Sequence, residues 1–160
     1  LLAAATPLSG PLGAPRGIPP LGQRIAVASD VAFAFAYPHM LDDWRRAGAE
    51  ISLFSPLADE APTPDADAVF LPGGYPELHA GTLANARRFR AGMTAHSGVI
   101  YGECGGYMAL GEGLIDADGT RHQMLGLLPL TTRFATRKPT TAYRRLPAMV
   151  GDVSGTLVDD

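Results

Sequence analysis

The sequence predicts an α/β protein built on an open, mostly parallel sheet, with helices on both faces and antiparallel additions at one side. Three observations predict it. Short apolar runs alternate with stretches in which apolar residues recur at helical spacing. The connections between them are short and rich in glycine and proline, as in strand–helix–strand units. The only cysteine, Cys104, sits in Gly102-Glu103-Cys104-Gly105-Gly106, between an apolar run and a helical pattern.

Residues 1–23 stand apart. Pro7, Pro11, Pro15, Pro19 and Pro20, interleaved with Gly10, Gly13, Gly17 and Gly22, cannot propagate helix or sheet and read as a linker, with something attached before it. Arg24 to Ala28 reads as the first strand, and Asp30 to Phe35 leads to a helix opened by Pro38. On that helix Met40, Leu41, Trp44 and Ala47 form the apolar face, Asp42, Asp43, Arg45 and Arg46 the wet one, and Gly48 ends it. Glu50 to Phe54 is a second strand, followed by a proline- and acid-rich loop from Pro56 to Pro64. Asp67 to Leu71 is a third strand, running into the tight turn Pro72-Gly73-Gly74-Tyr75-Pro76. One helical stretch is expected from about Glu77 to Ala95, with Leu83, Ala86, Phe89, Arg90 and Met93 along it. Gly98 to Tyr101 is the fourth strand and carries the cysteine motif. Beyond Gly113 the period changes: Asp116 to Gly119 reads as a hairpin turn, and Leu127 to Thr136 and Ala142 to Arg145 as antiparallel additions to the sheet. Residues 24–146 make one domain, and 147–160 form a tail with no strong period.

Composition narrows the function classes. Hydrophobic residues are 46% and charged residues 18%, ordinary for a soluble domain, and a net charge of −3 gives no electrostatic case for nucleic acid or an anionic membrane. One cysteine cannot form an internal disulfide, and no apolar run approaches the roughly 20 residues that cross a bilayer. A cytoplasmic protein is the expectation. There is no G-x-x-x-x-G-K-[S/T] and no G-x-G-x-x-G, and His39, His79, His96 and His122 show no metal-ligand spacing with one another or with Cys104. The acidic residues Asp59, Glu60, Asp65 and Asp67 read as a solvated loop, and Tyr37, Trp44 and Phe89 as core.

The cysteine motif carries the chemistry. A residue forced into a sharp strand-to-helix turn presents its side chain at the top of a sheet, and its neighbours must be small because the turn leaves no room for β-carbons. With a thiol at the apex this is a nucleophile elbow for acyl transfer through a thioester. A buried inert thiol is the ordinary fate of a lone cysteine. Here the small flanks, and a second glycine pair at another strand end, favour a reactive one. The backbone N–H after a nucleophile is a usual oxyanion donor, and a second comes from a neighbouring strand-to-helix loop. Gly105 with Gly73 or Gly74 therefore makes the candidate oxyanion hole around Cys104, and the helix start after Cys104 favours the thiolate.

Several segments together resemble the C-terminal glutamine amidotransferase domain of cobyrinic or hydrogenobyrinic acid a,c-diamide synthases, enzymes of cobalamin biosynthesis. They are Asp30 to Pro38, Phe54 to Glu60, Leu71 to His79, Tyr101 to Met108, Arg121 to Pro129 and the pair Tyr143-Arg144. The wording of the later segments is more similar to the hydrogenobyrinate-using branch. The resemblance implies a flavodoxin-like, class I amidotransferase domain that hydrolyses glutamine, with Cys104 as nucleophile. It also implies an N-terminal synthetase domain that uses ATP and Mg2+ to activate two corrinoid carboxylates, with residues 1–23 as the joining linker. No cofactor or metal is expected in the amidotransferase domain itself.

The chain departs from that family pattern in two places. Ala142 stands where family members have glycine. Members also carry a G-H-E-F-H-Y-type segment whose second histidine activates the cysteine, and no histidine lies between Leu146 and Asp160. The sequence reads as truncated or frameshifted before its base, or as a variant that lost it. Two alternatives accompany the glutaminase reading. One is a non-catalytic domain that serves as a scaffold or partner for the synthetase. The other is a cysteine-elbow hydrolase that recruits His79 or His122 as base.

Overall fold

The computed structural model describes residues 17–133, so the expectations for residues 1–16, for the end of the segment running to Thr136, for Ala142 to Arg145 and for the tail 147–160 lie outside the described residues. Strands β1 (Arg24–Ala28), β2 (Glu50–Phe54), β3 (Ala68–Leu71) and β4 (Val99–Gly102) form one sheet in the order β2-β1-β3-β4, with every pairing parallel. The order reverses at β1, so a crevice opens between the carboxyl ends of β1 and β3, where open α/β sheets bind ligands.

The inner strands are apolar on both sides because both sides are covered. Ile25, Val27, Ala68 and Phe70 face helix α1 (Pro38–Arg46) and pack with Met40, Leu41 and Trp44. The alternate residues Ala26, Ala28, Val69 and Leu71 face the opposite core, with Leu83, Phe89, Met93 and Ala109 from α2 (Ala80–Asn85), α3 (Arg87–Ala95) and α4 (Gly105–Leu110). Trp44 is 1% exposed, and its indole N–H donates to the Ile18 carbonyl at 3.0 Å, which ties residues 17–22 to α1. Pro38 opens α1 at a position where a missing N–H costs nothing, and Gly48, at φ 97°, closes it.

The structure corrects four expectations. The stretch from Glu77 to Ala95 is not one helix: a 3-10 turn (Pro76–His79) and α2 end at Ala86, whose ψ of 84° breaks the ladder, and α3 starts anew. The new start is fixed from outside, since Asp59, in the left-handed region at φ 57°, accepts from the N–H groups of Arg88 (2.7 Å) and Phe89 (3.0 Å) with one carboxylate oxygen. The acidic residues are therefore not merely solvated. Asp59 satisfies the start of α3, Glu60 accepts from Ser55 N–H and Asp67 from Arg24 N–H. Tyr37, expected in the core, is 46% exposed, whereas Trp44 and Phe89 are buried as expected. Finally, β5 (Gly111–Ile115), β6 (Arg121–Gln123) and β7 (Leu128–Arg133) form a separate mixed sheet in the order β6-β5-β7. The turn at Asp116 to Gly119 joins β5 and β6 antiparallel, but β7 runs parallel to β5. Leu114, Met124 and Leu125 bind this sheet into the core beneath α2 to α4.

Candidate active site

The end of β4 turns directly into α4, and Cys104 is the turning residue. Its φ of 49° and ψ of −112° place it, with Asp59, as one of two non-glycine residues at positive φ among those described. Such backbone costs of order 1–3 kcal/mol and persists only where the surroundings over-determine it. Here they do. A β-carbon on Gly102 would stand 3.0 Å from the Gly106 carbonyl carbon, and one on Gly106 would stand 1.9 Å from the Leu71 carbonyl oxygen. The Gly106 N–H donates to the Glu103 carbonyl at 2.8 Å, and the Glu103 N–H to the Leu71 carbonyl at 3.2 Å. The small residues two before and two after the apex are thus required by contact, and the thiol they present is exposed.

The second glycine pair meets the first. A β-carbon on Gly105 would lie 2.7 Å from Pro76 Cδ and 2.9 Å from the Gly74 oxygen, and one on Gly73 would lie 3.4 Å from Cys104 Cβ. Gly73 therefore lies beside Cys104, and Gly74 lies against Gly105, the residue that follows Cys104. Among the described residues, no carbonyl or side chain accepts from the N–H of any of the three glycines.

The loop after β1 backs the Gly73-Gly74 turn. The Phe35 N–H donates to the Gly73 carbonyl at 2.9 Å, and the Ala32 carbonyl occupies the space beside Gly74 Cα. Asp30 sets that loop: its carboxylate accepts from the N–H of Ala32, the hydroxyl of Ser55 and the N–H of Leu57, each at 2.9 Å.

Aromatic side chains lie on the segments that meet at the elbow. Phe35 meets Tyr75 edge to face at 5.1 Å, and Tyr37 and Tyr101 flank Glu103. The Glu103 charge, a hydrogen bond to its carboxylate, slight burial and the Cys104 sulfur all raise the Tyr37 phenol above its ordinary value. Burial first, and then the Glu103 charge, raise that of Tyr101. Sequence reasoning missed Asp30, Phe35, Tyr37 and Glu103. The available signal was a carboxylate at the one position of the elbow that is neither small nor the nucleophile.

Among the described residues no hydrogen bond links an imidazole to the Cys104 sulfur. His122 Nε2 is held by Asp116 Oδ2 at 2.7 Å, and His96 lies beside Gly98 at the far end of β4. His79 closes the 3-10 turn before α2, and His39 tilts against Tyr37 with ring centroids 6.0 Å apart.

A parallel α/β sheet with a cysteine elbow at one strand end and a Gly-Gly turn at the next is the class I glutamine amidotransferase type of domain. The chain belongs to the CobB/CobQ-like glutamine amidotransferase domain family, whose model matches residues 24–155. It is 63% identical over 150 residues to a hydrogenobyrinate a,c-diamide synthase of Rhizobium meliloti (strain 1021), covering 91% of this chain and 34% of that protein. It is 68% identical over 130 residues to one from a Sinorhizobium species (79% of this chain, 30% of that protein). The synthase so named from Rhodobacter capsulatus is 57% identical over 129 residues (79% and 29%). The chain spans about a third of the length of these curated relatives. No helix among the described residues is long and apolar enough to cross a membrane.

Proposed function

We propose that this chain is a glutaminase domain that releases ammonia from glutamine for the ATP-dependent a,c-diamidation of hydrogenobyrinic acid. The strained, exposed Cys104 beside Gly73 carries this reading. The Cys104 sulfur attacks the side-chain amide carbon of glutamine, and the carbonyl π electrons move to oxygen. The N–H groups of Gly105 and of the Gly73-Gly74 turn are the donors for that oxyanion. Collapse of the tetrahedral intermediate breaks the C–N bond, ammonia leaves with a proton, and water cleaves the remaining thioester to glutamate. Donors fixed beforehand by the glycine contacts need no reorganisation as charge develops, and losing one donor of this kind costs about 3–4 kcal/mol.

The relatives are about three times longer, which supports a further N-terminal domain in the complete protein. ATP, Mg2+ and the corrinoid belong to that domain. Names of the relatives favour hydrogenobyrinate over cobyrinate as acceptor, and the sequence patterning fits a cytoplasmic enzyme.

The test is covalent capture. A glutamine analogue with an electrophilic carbon adds one equivalent of mass to the chain at Cys104, and Cys104→Ala abolishes the adduct. Labelling that persists in the Ala variant overturns the assignment.

A further inference from the structure

Glu103 is the residue before the thiol, and its backbone is pinned on both sides by the Leu71 carbonyl and the Gly106 N–H. Its carboxylate lies with two phenols at the rim of the site: the Tyr101 hydroxyl donates to Oε2 at 3.5 Å, and Tyr37 lies close enough to sense both the carboxylate and the Cys104 sulfur. The aromatic faces around it remain open, with Tyr37, Tyr75 and Tyr101 each 41% exposed or more. Among the described residues the ion pairs are those of Arg24, Arg45, Arg46 and His122, and none of them engages Glu103. A carboxylate bordered by aromatic rings, with no cation paired to it among the described residues, is suited to an ammonium ligand, which gains both a charge-assisted hydrogen bond and attraction to the ring faces.

Resting on Cys104 as the nucleophile, we propose that Glu103, flanked by Tyr37 and Tyr101, binds the α-ammonium group of the amide substrate. The span fits. Four bonds of about 1.5 Å separate the amide carbon of glutamine from its α-nitrogen, and the Cα atoms of adjacent residues are about 3.8 Å apart. One extended molecule can reach from the Cys104 sulfur to the Glu103 carboxylate. The site then selects an amino acid over a plain carboxamide, and the residue that does so is adjacent in the chain to the one that reacts.

The experiment compares labelling rates at Cys104 in the 160-residue chain with three reagents. They are the chloromethyl ketone analogue of glutamine, its counterpart lacking the α-amino group, and iodoacetamide. In each, an S–C bond forms as the carbon–halogen bond breaks, the halide leaves and the thiol proton passes to solvent. In the parent the α-amino reagent labels about 10- to 100-fold faster than its des-amino counterpart at limiting concentration, the range expected for one hydrogen bond to a charged group. Glu103→Gln brings the two chloromethyl ketones to within about threefold of each other and Glu103→Asp retains part of the preference, while in both variants labelling by iodoacetamide continues and the urea midpoint stays near the parent's, which shows that the thiol is accessible and the chain folded. A preference that survives Glu103→Gln, or its absence in the parent, overturns the subsite while leaving Cys104 as nucleophile. Failure of all three reagents at Cys104 removes the nucleophile reading and the subsite with it.

Discussion

Gly73 and Cys104 are neighbours across the site: a β-carbon on Gly73 would stand 3.4 Å from Cys104 Cβ and 3.5 Å from Phe35 Cβ, whereas one on Gly74 would stand 2.1 Å from the Ala32 oxygen. The two glycines of one turn thus serve different ends. Neither sits at positive φ, so backbone freedom is not the reason for either. Gly74 is demanded by the fold, because no side chain fits between the loop after β1 and the start of α4. Gly73 borders the space a substrate amide would enter.

Gly73→Ala is therefore expected to fold with stability within about 1 kcal/mol of the parent, since Ala restricts the unfolded chain at a compatible φ. The methyl group intrudes beside the thiol, so labelling of Cys104 by a glutamine analogue slows while urea unfolding barely moves. Gly74→Ala forces a backbone shift and is expected to lose upwards of about 2 kcal/mol, at or beyond the usual cost of overpacking. Urea midpoints for the pair decide it. Equal destabilisation of both variants would show that Gly73 is only a turn residue.

Asp30 holds the turn from behind. Its carboxylate collects donors from Ala32, Ser55 and Leu57, and the Ala32 carbonyl it steadies is the one that confines Gly74. Hydrogen bonds to a charged acceptor are worth about 1.5–3 kcal/mol each to the extent that they are buried. Asp30→Ala is expected to cost about 2–3 kcal/mol in urea unfolding and to slow Cys104 labelling by the glutamine analogue more than labelling by iodoacetamide. Ser55→Ala removes one of the three donors and is expected to show a smaller loss of the same kind. An Asp30→Ala chain that unfolds at the parent's urea midpoint would remove Asp30 from this role.

The β5–β6 turn carries a pH-dependent contact. His122, followed by the N–H groups of Thr120 and Asp118, holds the Asp116 carboxyl below its ordinary value of 3.8. A carboxyl depressed in the folded state contributes stability that is fully present above its unfolded pKa and is lost as pH falls through the folded one. Protection of the Asp118 and Thr120 amides against hydrogen exchange is therefore expected to hold at neutral pH and fall below about pH 4. In Asp116→Asn it should be low at neutral pH as well. Parent-like protection in the Asn variant would mean that the turn does not depend on the carboxylate.

The parallel sheet and the elbow were legible because each leaves a local mark. Strands buried on two faces are short apolar runs, and the elbow needs Gly102, Gly105 and Gly106 at fixed offsets from Cys104. What was not legible depends on distant partners. Ala86 is a good helix former, yet the helix breaks there because Asp59, far away in sequence, supplies the next start. The parallel pairing of β7 with β5 is a tertiary choice that neither strand announces, and Gly111 and Gly113 disguise β5 as a loop. Tyr37 looked apolar enough for the core, but it lies beside the end of β4, where only the fold brings it next to Glu103.

Turnover by the 160-residue chain is expected to be close to background even though Cys104 labels. Breaking the C–N bond through a thioester requires one proton to leave the thiol and another to reach the departing ammonia, and both transfers are a base's task. Oriented backbone dipoles can favour a thiolate but cannot return a proton. The chain contains four histidines. His122 is engaged by Asp116, His96 lies at the opposite end of β4, and no hydrogen bond joins the others to the thiol. General acid–base assistance is worth about 10²- to 10⁴-fold, which sets the scale of the shortfall. Ammonia release should therefore be slow from this chain and rise by at least about 100-fold when an N-terminal synthetase portion and a C-terminal histidine-bearing segment from a relative are joined to it. If the 160-residue chain matches the extended protein, a base resides among its own residues. His39→Gln, His79→Gln and His122→Gln would then identify it, the correct one being the variant that loses turnover while keeping Cys104 labelling.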